Sequence, residues 1–416
     1  MLGSVFPRAA RRYRSLPLLG TRAEEFTAWM GARGYRRKAL RQIIFALPRI
    51  DRWLREHGVE QLTDIEPPIL AQCWKAFLGG TGQPSATVRA LTDYLASAGL
   101  VQPGQPAPLA PSAQLAADYA RHLETARGLS PTTIESHART AARFLHHVGY
   151  DADAARLGTV TGHDIEAFLR DRAQQLRRTS LQAMIGELRG FLRFLASRVE
   201  ALGTLDTTID TPRIYSQEQL PRALPWETVQ ALLESIDQRT ARGSRDYAIL
   251  FLLATYGLRV GEVAALALED IHWRQGQLAV PTEKSGGRLV LPLTDQVGAV
   301  ILEYLRRARP AGVSCRRLFL RSRAPVGPLS RAAITKIFAR QAQRSGLTIP
   351  FSGAHCLRHS YAVHLLRTGV SLKAIGDLLG HRSAGSTCVY LRLATDDLRQ
   401  VPLAVPSFPT GAEVRP

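Results

Sequence analysis

Apolar residues recur along most of the chain at the three- and four-residue spacing that is typical of amphipathic α-helices. One such helical face combines Ile134, Ala138, Ala141, Leu145 and Val148. The pattern changes between residues 277 and 293, where two short apolar runs, QLAV and RLVLPL, flank a turn sequence with two glycines. Glycines between two such runs are typical of a β-hairpin. The sequence therefore predicts a mainly α protein with a small β-sheet in its last block.

Two interruptions divide the helical pattern into three blocks. Residues 101–112, VQPGQPAPLAPS, concentrate Pro and Gly, which stop helices and favour an extended connector. Between residues 202 and 225 the periodicity is weak, and a new amphipathic helix is predicted from Trp226. A length of 416 residues, at roughly 150 residues per domain, agrees with such a division. We expect helical domains at 1–105 and 106–205, a domain with the hairpin at 216–404, and a flexible tail at 405–416.

The first two blocks look like copies of each other. Matching tracts occur in the same order in both blocks: Ala-Arg-Gly at 32–34 and 126–128, Asp-Ile-Glu at 64–66 and 164–166, and Tyr/Phe-Leu-Ala-Ser at 94–97 and 194–197. Order and spacing persist over about 80 residues, which is typical of an internal repeat. Chance similarity among Ala-, Leu- and Arg-rich helices is the alternative, because each shared tract is short. We expect two related helical bundles with basic faces.

The balance of charge narrows the class of partner. Lys and Arg number 54 against 35 Asp and Glu, a net charge of +19 with neutral His, while 45% of the residues are hydrophobic. Residues 1–50 alone hold eleven basic and two acidic residues, a net charge of +9. A solvated helix face usually mixes both signs. A globular chain with this excess predicts a polyanionic partner, nucleic acid first and an anionic membrane surface second.

Two other classes of protein are excluded by composition. No apolar run approaches the roughly 18 to 20 residues that a membrane span requires. The four cysteines are scattered without a CxxC pair, so neither a disulfide framework nor a structural zinc site is indicated. The first twenty residues carry four arginines and lack the apolar segment of a secretory signal. We therefore expect a cytoplasmic protein without a membrane partner.

The segment SGAHCLRHSYA at 352–362 contains the most informative candidate chemistry. Residues three apart lie on one helical face, so His355 and Arg358 can address the same ligand, and a helix start favours anions. Together they would hold a phosphate. His355 and His359 are an alternative metal pair, but Cys356 takes the place of the Glu in HExxH and the sequence shows no third ligand. Metal binding is the weaker interpretation.

Five landmarks follow one another in the last block. In chain order they are TYGLRVGE at 255–262, the hairpin with Lys284, HCLRHSYA at 355–362, LLGHRS at 378–383 and Tyr390. This order resembles the tyrosine recombinases, the lambda-integrase or phage integrase family with its Xer-like catalytic domain, whose motif residues run Arg, Lys, His-x-x-Arg, His and Tyr. The six positions are filled here by Arg259, Lys284, His355, Arg358, His381 and Tyr390.

The likeness covers the last block fully and residues 115–200 more loosely. It implies that 216–404 is a catalytic tyrosine recombinase domain and that 106–205 is a helical core-DNA-binding domain, with the two N-terminal blocks as duplicated SAM-like bundles. Compact members of the family have a single helical domain before the catalytic one. The extra block at 20–100 would therefore either grip additional DNA or mediate protein contacts during assembly.

The resemblance also implies how DNA would be cut without a metal or another cofactor. Arg259 and Arg358 would clamp the scissile phosphate, because a guanidinium offers bidentate donors that stay charged. Tyr390 would attack phosphorus and form a 3′-phosphotyrosyl intermediate. Lys284 would be the general acid for the leaving 5′ oxygen, His355 an acid or base near the tyrosine, and His381 a donor to a phosphate oxygen. Glu262 would orient Arg259, and His359 would pack or cap locally.

These roles describe a site-specific DNA recombinase, which we expect to be the integrase or transposase of a mobile element. Its partner would be double-stranded DNA, bound by a homotetramer on two sites, with sister recombinases as a further option. Residues 391–403 would dock on a neighbouring subunit. Two alternatives remain open: DNA relaxation like that of a type IB topoisomerase, and a non-catalytic DNA-binding accessory subunit.

Overall fold

A computed structural model of the chain describes residues 1–77, 83–101, 110–198, 205–207, 209–211, 221–282, 287–381, 383 and 385–393. The chain divides into two compact units, one formed by Met1–Val101 with Gln219–Pro416 and the other by Gln102–Glu218. The described ranges contain helices and a single three-stranded sheet. The fold class predicted from the periodicity, mainly α with a small sheet, is confirmed. Over the same ranges, no helix is both long and apolar enough to cross a membrane.

The N-terminal block of the first unit, residues 1–101, is a helical bundle built around one long helix. Its elements are α1 (Leu2–Val5), α2 (Ala10–Arg14), α3 (Ala23–Ala32), α4 (Arg37–Glu56), α5 (Pro67–Phe77) and α6 (Gln83–Ser97). Helix α4 buries Ile44, Leu47 and Leu54 on one face. Asp51 is also buried there. Its carboxylate is satisfied by hydrogen bonds that it accepts from the N–H groups of Leu18 (3.0 Å) and Leu19 (2.7 Å). This pairing fastens the arginine-rich leader to the bundle.

The second unit is a bundle of four longer helices around an aromatic core. Its helices are α7 (Pro111–Arg127), α8 (Pro131–His147), α9 (Gly162–Ala173) and α10 (Arg178–Ala196). Helix α7 ends at Gly128, which has a φ of +56°, and Ser130 caps the start of α8 by accepting from the Thr133 N–H. The largest buried side chains of the unit are Tyr119, Phe144, Phe168 and Phe191.

The two bundles share the order of elements that the repeated tracts predict. Each Ala-Arg-Gly tract closes one helix before a long second one, α3 before α4 and α7 before α8. The last helix of each bundle ends at the matched tract, with Tyr94 in one and Phe194 in the other, both buried. Near the ends of these two helices, Ser97 and Ser197 donate to the carbonyls of Tyr94 (2.8 Å) and Phe194 (2.7 Å). The local structures therefore agree with related bundles.

The remaining block of the first unit, from residue 221 onward, surrounds a buried helix. In chain order its elements are α11 (Trp226–Glu234), α12 (Ala241–Tyr256), α13 (Val260–Ala265), β1 (Ile271–His272), β2 (Gln277–Pro281), β3 (Arg288–Pro292), α14 (Asp295–Arg307), α15 (Arg331–Arg344), α16 (His355–Arg367), α17 (Leu372–Leu379), α18 (Gly385–Cys388) and a 3-10 turn (Val389–Leu393). The helix predicted from Trp226 is α11. Strands β2 and β3 pair antiparallel with Ala279 opposite Val290, which confirms the predicted hairpin.

Helix α12 is the centre of this block, and its C-terminal end directs the chain into the site. Most of its residues are buried, including Ile249, Leu250 and Leu252. Gly257 ends the helix with a φ of +61°, and a Cβ there would lie 2.7 Å from side-chain atoms of both Leu379 and Tyr361. Only glycine satisfies both the left-handed backbone and the close packing. The tight turn places the next residues against α16 and α17.

Candidate active site

Arg259 is held at the start of α13 by a carboxylate one turn further along. The backbone N–H of Arg259 donates to Glu262 Oε2 and its Nη1 donates to Oε1, both at 2.7 Å. The Glu262 side chain is 3% exposed, whereas that of Arg259 is 32% exposed. A buried carboxylate with two fixed partners cannot reorient freely, so the guanidinium keeps one position. Among the described residues, Arg259 Nη2 and Nε have no hydrogen-bond partner and are open to a ligand.

Arg358 lies one turn into α16 and joins three parts of the block. It is 3% exposed, and its Nη1 and Nη2 donate to the carbonyls of Gly257 (2.8 Å) and Leu379 (2.6 Å). Burial and the nearby charge of Arg259 lower the pKa of Arg358, although an arginine stays protonated in water. The Arg358 guanidinium also interacts with the Tyr390 side chain, through its charge and through a hydrogen bond. Arg358 therefore links three parts of the block through backbone carbonyls, and its positive charge is not neutralised by an ion pair with a carboxylate of the described residues.

Tyr390 lies in the short 3-10 turn that follows α18. It is 2% exposed and packs with Ala362, Val363, Ile375 and Leu379. Burial raises the pKa of its phenol, while the charges of Arg358 and then Arg259 act in the opposite direction. The hydroxyl is therefore protonated at neutral pH and lies in a positive field that favours the anion.

Two imidazoles contact this tyrosine, and a third contacts one of the two. His355 is the first residue of α16, and its ring centroid lies 4.5 Å from that of His359 in an edge-to-face contact. The ring centroids of His359 and His381 lie 5.5 Å and 6.2 Å from the Tyr390 ring. Burial, followed by neighbouring charges, lowers the pKa of all three, to about 4 for His359 and His381. At neutral pH these rings are uncharged and can accept protons.

The histidines differ in their hydrogen bonds. His381 Nδ1 lies 2.8 Å from Thr387 Oγ1, on the helix that precedes Tyr390. His359 Nδ1 is buried, and within the described part of the chain it has no partner. His355 is the most exposed of the three histidines, although part of its ring is covered by neighbouring side chains. The alternative metal pair of His355 and His359 has no third ligand, since no group of three or more metal-binding side chains occurs among the described residues.

The structure brings together five of the six residues that the motifs predict: Arg259, His355, Arg358, His381 and Tyr390. The sixth, Lys284, lies outside the described residues. Its hairpin nevertheless adjoins the site, because a Cβ on Gly380 would be 3.9 Å from Leu289 Cδ2 at the start of β3. His359, predicted to pack or cap locally, packs between His355 and Tyr390. Its spacing of four residues from His355, on the same helical face, is the sequence signal for this position.

Comparison with known proteins assigns this arrangement to a class. Residues 222–396 match the phage integrase family, and residues 116–199 match the N-terminal SAM-like domain of phage integrases. The integrase/recombinase y4rA of Sinorhizobium fredii is 33% identical over 389 residues, 92% of this chain and 93% of that protein. Tyrosine recombinase XerC of Pelobacter propionicus is 32% identical over 281 residues, 67% of this chain and 91% of that protein. The chain belongs to the phage integrase family.

A solved structure supports the fold. The XerH site-specific recombinase, in a post-cleavage complex with its palindromic difH substrate, matches with a TM-score of 0.54 at 20% identity. The match covers 68% of this chain and 83% of XerH. The resemblance indicated by the motifs is confirmed, and the protein is a tyrosine-type site-specific DNA recombinase. The alignment with y4rA covers 92% of this chain, and the uncovered part is much shorter than residues 1–101. Most of the N-terminal block is therefore included in the alignment.

Proposed function

We propose that the protein cuts and rejoins DNA strands through a 3′-phosphotyrosyl intermediate formed by Tyr390. The observation that carries this proposal is the position of the buried phenol within the field of Arg358 and Arg259, next to uncharged imidazoles. A phenol whose ordinary pKa is near 10 is a weak nucleophile at neutral pH. Positive charge and a proton acceptor are what it needs, and both surround Tyr390.

Arg259 and Arg358 would bind the two non-bridging oxygens of the scissile phosphate. Both guanidiniums are anchored by fixed acceptors and still keep free donors, so they are preorganised for the charge that develops during attack. Such preorganised donors stabilise a phosphoryl transition state without reorganising during the reaction.

Tyr390 Oη would form a bond to phosphorus while the bond from phosphorus to the 5′ oxygen breaks. The phenolic proton would reach His355 by way of His359, whose ring lies between them, because the lowered pKa of each imidazole leaves it unprotonated. Lys284 would protonate the leaving 5′ oxygen. If the Thr387 hydroxyl donates to His381 Nδ1, the His381 proton resides on Nε2, which would then donate to a phosphate oxygen.

A suicide substrate with a nick near the cleavage site tests this assignment. The full chain should form a covalent complex with such DNA, and Tyr390→Phe should abolish it. Tyr361→Phe is the matched control, because it removes a phenolic hydroxyl from the same cluster of side chains and should leave trapping unchanged. Trapping that persists in Tyr390→Phe would remove Tyr390 from the nucleophile role.

Rejoining would follow when a 5′-hydroxyl of a second duplex attacks the phosphotyrosyl bond, so that no high-energy cofactor is consumed. We propose a homotetramer on two double-stranded DNA sites, with residues 391–403 docking on a neighbouring subunit; residues 394–403 lie outside the described part of the chain. We propose the role of a mobile-element integrase or transposase in the cytoplasm, and the integrase name of y4rA supports the integrase role.

We propose a separate function for each of the three blocks. Residues 216–404 would carry the chemistry, and 106–205 would be the core-DNA-binding domain, in agreement with the match of 116–199 to a SAM-like domain. Residues 1–105 would form the additional basic domain. The predicted tail at 405–416 lies outside the described residues.

A further inference from the structure

The N-terminal block and the catalytic block touch at a defined point within the first unit. The Val326 N–H donates to the Arg33 carbonyl at 3.1 Å. Gly34, the next residue, has a φ of +80°, and a Cβ there would be 2.6 Å from Val326 Cγ2. Both the backbone conformation and the close approach require glycine at this turn. The turn between α3 and α4 is therefore fitted to the catalytic block.

A cavity of about 670 Å³ lies beside this contact and is lined by both blocks. The N-terminal block contributes Tyr35, Arg36 and Gln42, and the catalytic block contributes Arg242, Ser322 and Arg323. The other lining residues are Gly or Ala, so no carboxylate lines the cavity. Three guanidiniums thus converge on one space from two separately folded segments.

Only the charge of buried Asp246 partly offsets that of Arg242. No carboxylate of the described residues forms an ion pair with Arg36, Arg242 or Arg323. The acidic residue nearest along the chain, Asp246, is fully buried and already bound by Arg245 (2.7 Å) and Arg340. Burial, and then the charge of Arg340, lower the pKa of Arg242. Like charges on two facing blocks repel, so an anion between them would stabilise the contact.

The surface next to the cavity indicates a polymeric anion. Arg36 immediately precedes α4, and the exposed side of this helix continues with Lys38, Arg41 and Arg49. Phe45, in the middle of this row, is 66% exposed, more than any other large apolar side chain among the described residues. A free nucleotide would occupy only the cavity and would leave this row of cations without a ligand. A row of cations with an exposed ring suits the phosphates and sugars or bases of a nucleic acid strand.

The cavity is distant from the catalytic site. Arg242 is the second residue of α12, whereas Gly257, whose carbonyl binds Arg358, follows the last. Sixteen helical residues span about 24 Å. A phosphate in the cavity is therefore not the one that Tyr390 would attack.

We propose that Arg36, Arg242 and Arg323 hold a backbone phosphate of DNA, remote from the cleavage site, and that the N-terminal block thereby extends the DNA contact. The inference rests on the proposed function only in that the partner is DNA. It assigns a ligand to both blocks together: an isolated N-terminal block would lack two of the three arginines.

The test compares two triple variants of the full chain. The pocket variant is Arg36→Gln, Arg242→Gln and Arg323→Gln. The control variant is Arg274→Gln, Arg306→Gln and Arg344→Gln, which removes the same charge from exposed arginines that form no ion pair within the described residues. Fluorescence anisotropy measures the affinity for a labelled 40-base-pair duplex between 50 and 200 mM salt, and circular dichroism checks that both variants are folded.

We expect the pocket variant to bind the duplex about tenfold more weakly and to reduce the salt slope of log K by about 1, the value for one lost phosphate contact. The control variant should lose less than threefold. Equal losses in both variants would overturn the proposal. Ser322→Glu, a single change that adds a carboxylate to the cavity, should weaken binding similarly, and unchanged binding by this variant would also count against a phosphate there.

Two further arms separate the sources of phosphate and the two proposals. Inorganic phosphate and ATP are titrated by calorimetry. If either ligand binds the wild type but not the pocket variant, while the two proteins bind duplex equally, the cavity is a free-anion site and the DNA assignment fails. With the nicked substrate at saturating concentration, the rate constant of covalent trapping should be the same in the pocket variant and the wild type, because the cavity lies at the far end of α12 from Tyr390. If the wild type forms no covalent complex but its duplex binding still depends on the three arginines of the pocket, the proposed role of Tyr390 fails and the proposal for the pocket stands.

Discussion

The two ends of α12 use arginine in opposite ways. At the C-terminal end, Arg259 is fixed by Glu262, and Arg358 is fixed by two backbone carbonyls. At the N-terminal end, Arg242 faces a cavity that no carboxylate lines. The first arrangement makes the position of each charge decisive, as the chemistry of one phosphate requires. The second depends on the sum of charges, as sequence-independent binding to a backbone requires.

The same conservative substitution should therefore have opposite consequences at the two ends. Arg358→Lys keeps the charge but loses the planar fork that reaches Gly257 and Leu379 at once. We expect the rate of covalent trapping to fall by about 10²- to 10³-fold, the usual loss for one preorganised donor. Arg242→Lys should bind duplex within twofold of the wild type, measured by anisotropy. Comparable effects of the two substitutions would remove the distinction between position and charge.

The turn that supplies an acceptor to Arg358 allows a second comparison. Gly257 and Gly276 both have a φ of +61°, but a Cβ would meet Leu379 and Tyr361 at 2.7 Å in the first case and nothing within 4 Å in the second. Gly276→Ala should cost about 1 kcal/mol of unfolding free energy for backbone strain alone. Gly257→Ala adds overpacking and should cost about 2 to 4 kcal/mol. Equal shifts in denaturant midpoint would contradict the tight packing beneath the site.

The catalytic end also responds to pH through its histidines. The pKa of His359 and of His381 lies at about 4 in the folded protein, below the ordinary 6.5. The unfolded chain therefore binds more protons at these two positions between these values, so their contribution to stability should be lost as pH drops from about 6.5 to about 4. His359→Phe should reduce this dependence, measured by denaturation at several pH values. An unchanged pH profile in that variant would show that His359 is not the buried neutral group described here.

Much of the fold and of the site was predictable because the signals are local. Helical periodicity located α8 and α11, the glycine turn located the hairpin, and the motif order named Arg259, His355, Arg358, His381 and Tyr390. Each of these depends on residues close together in sequence. The family match confirms the class, whereas the role of each residue stays a prediction.

What the sequence did not reveal depends on long-range packing. The fit of Gly34 against Val326 joins segments almost 300 residues apart, and nothing in either tract signals its partner. The carbonyl acceptors of Arg358 are likewise backbone atoms whose position only the folded chain defines. The contact of His359 with Tyr390 likewise joins two helical segments, and local spacing does not signal it. The net charge of +19 gave no sign that its arginines divide into fixed and unpaired sets.

The residue that attacks the DNA can be identified in a trapped complex. Wild-type protein is trapped on a nicked duplex, digested with protease and nuclease, and analysed by tandem mass spectrometry. We expect a nucleotide adduct on the hydroxyl of Tyr390 and on no other residue. An adduct on Tyr361 or on a serine, or trapping without any tyrosine adduct, would contradict the assignment of Tyr390 as the nucleophile.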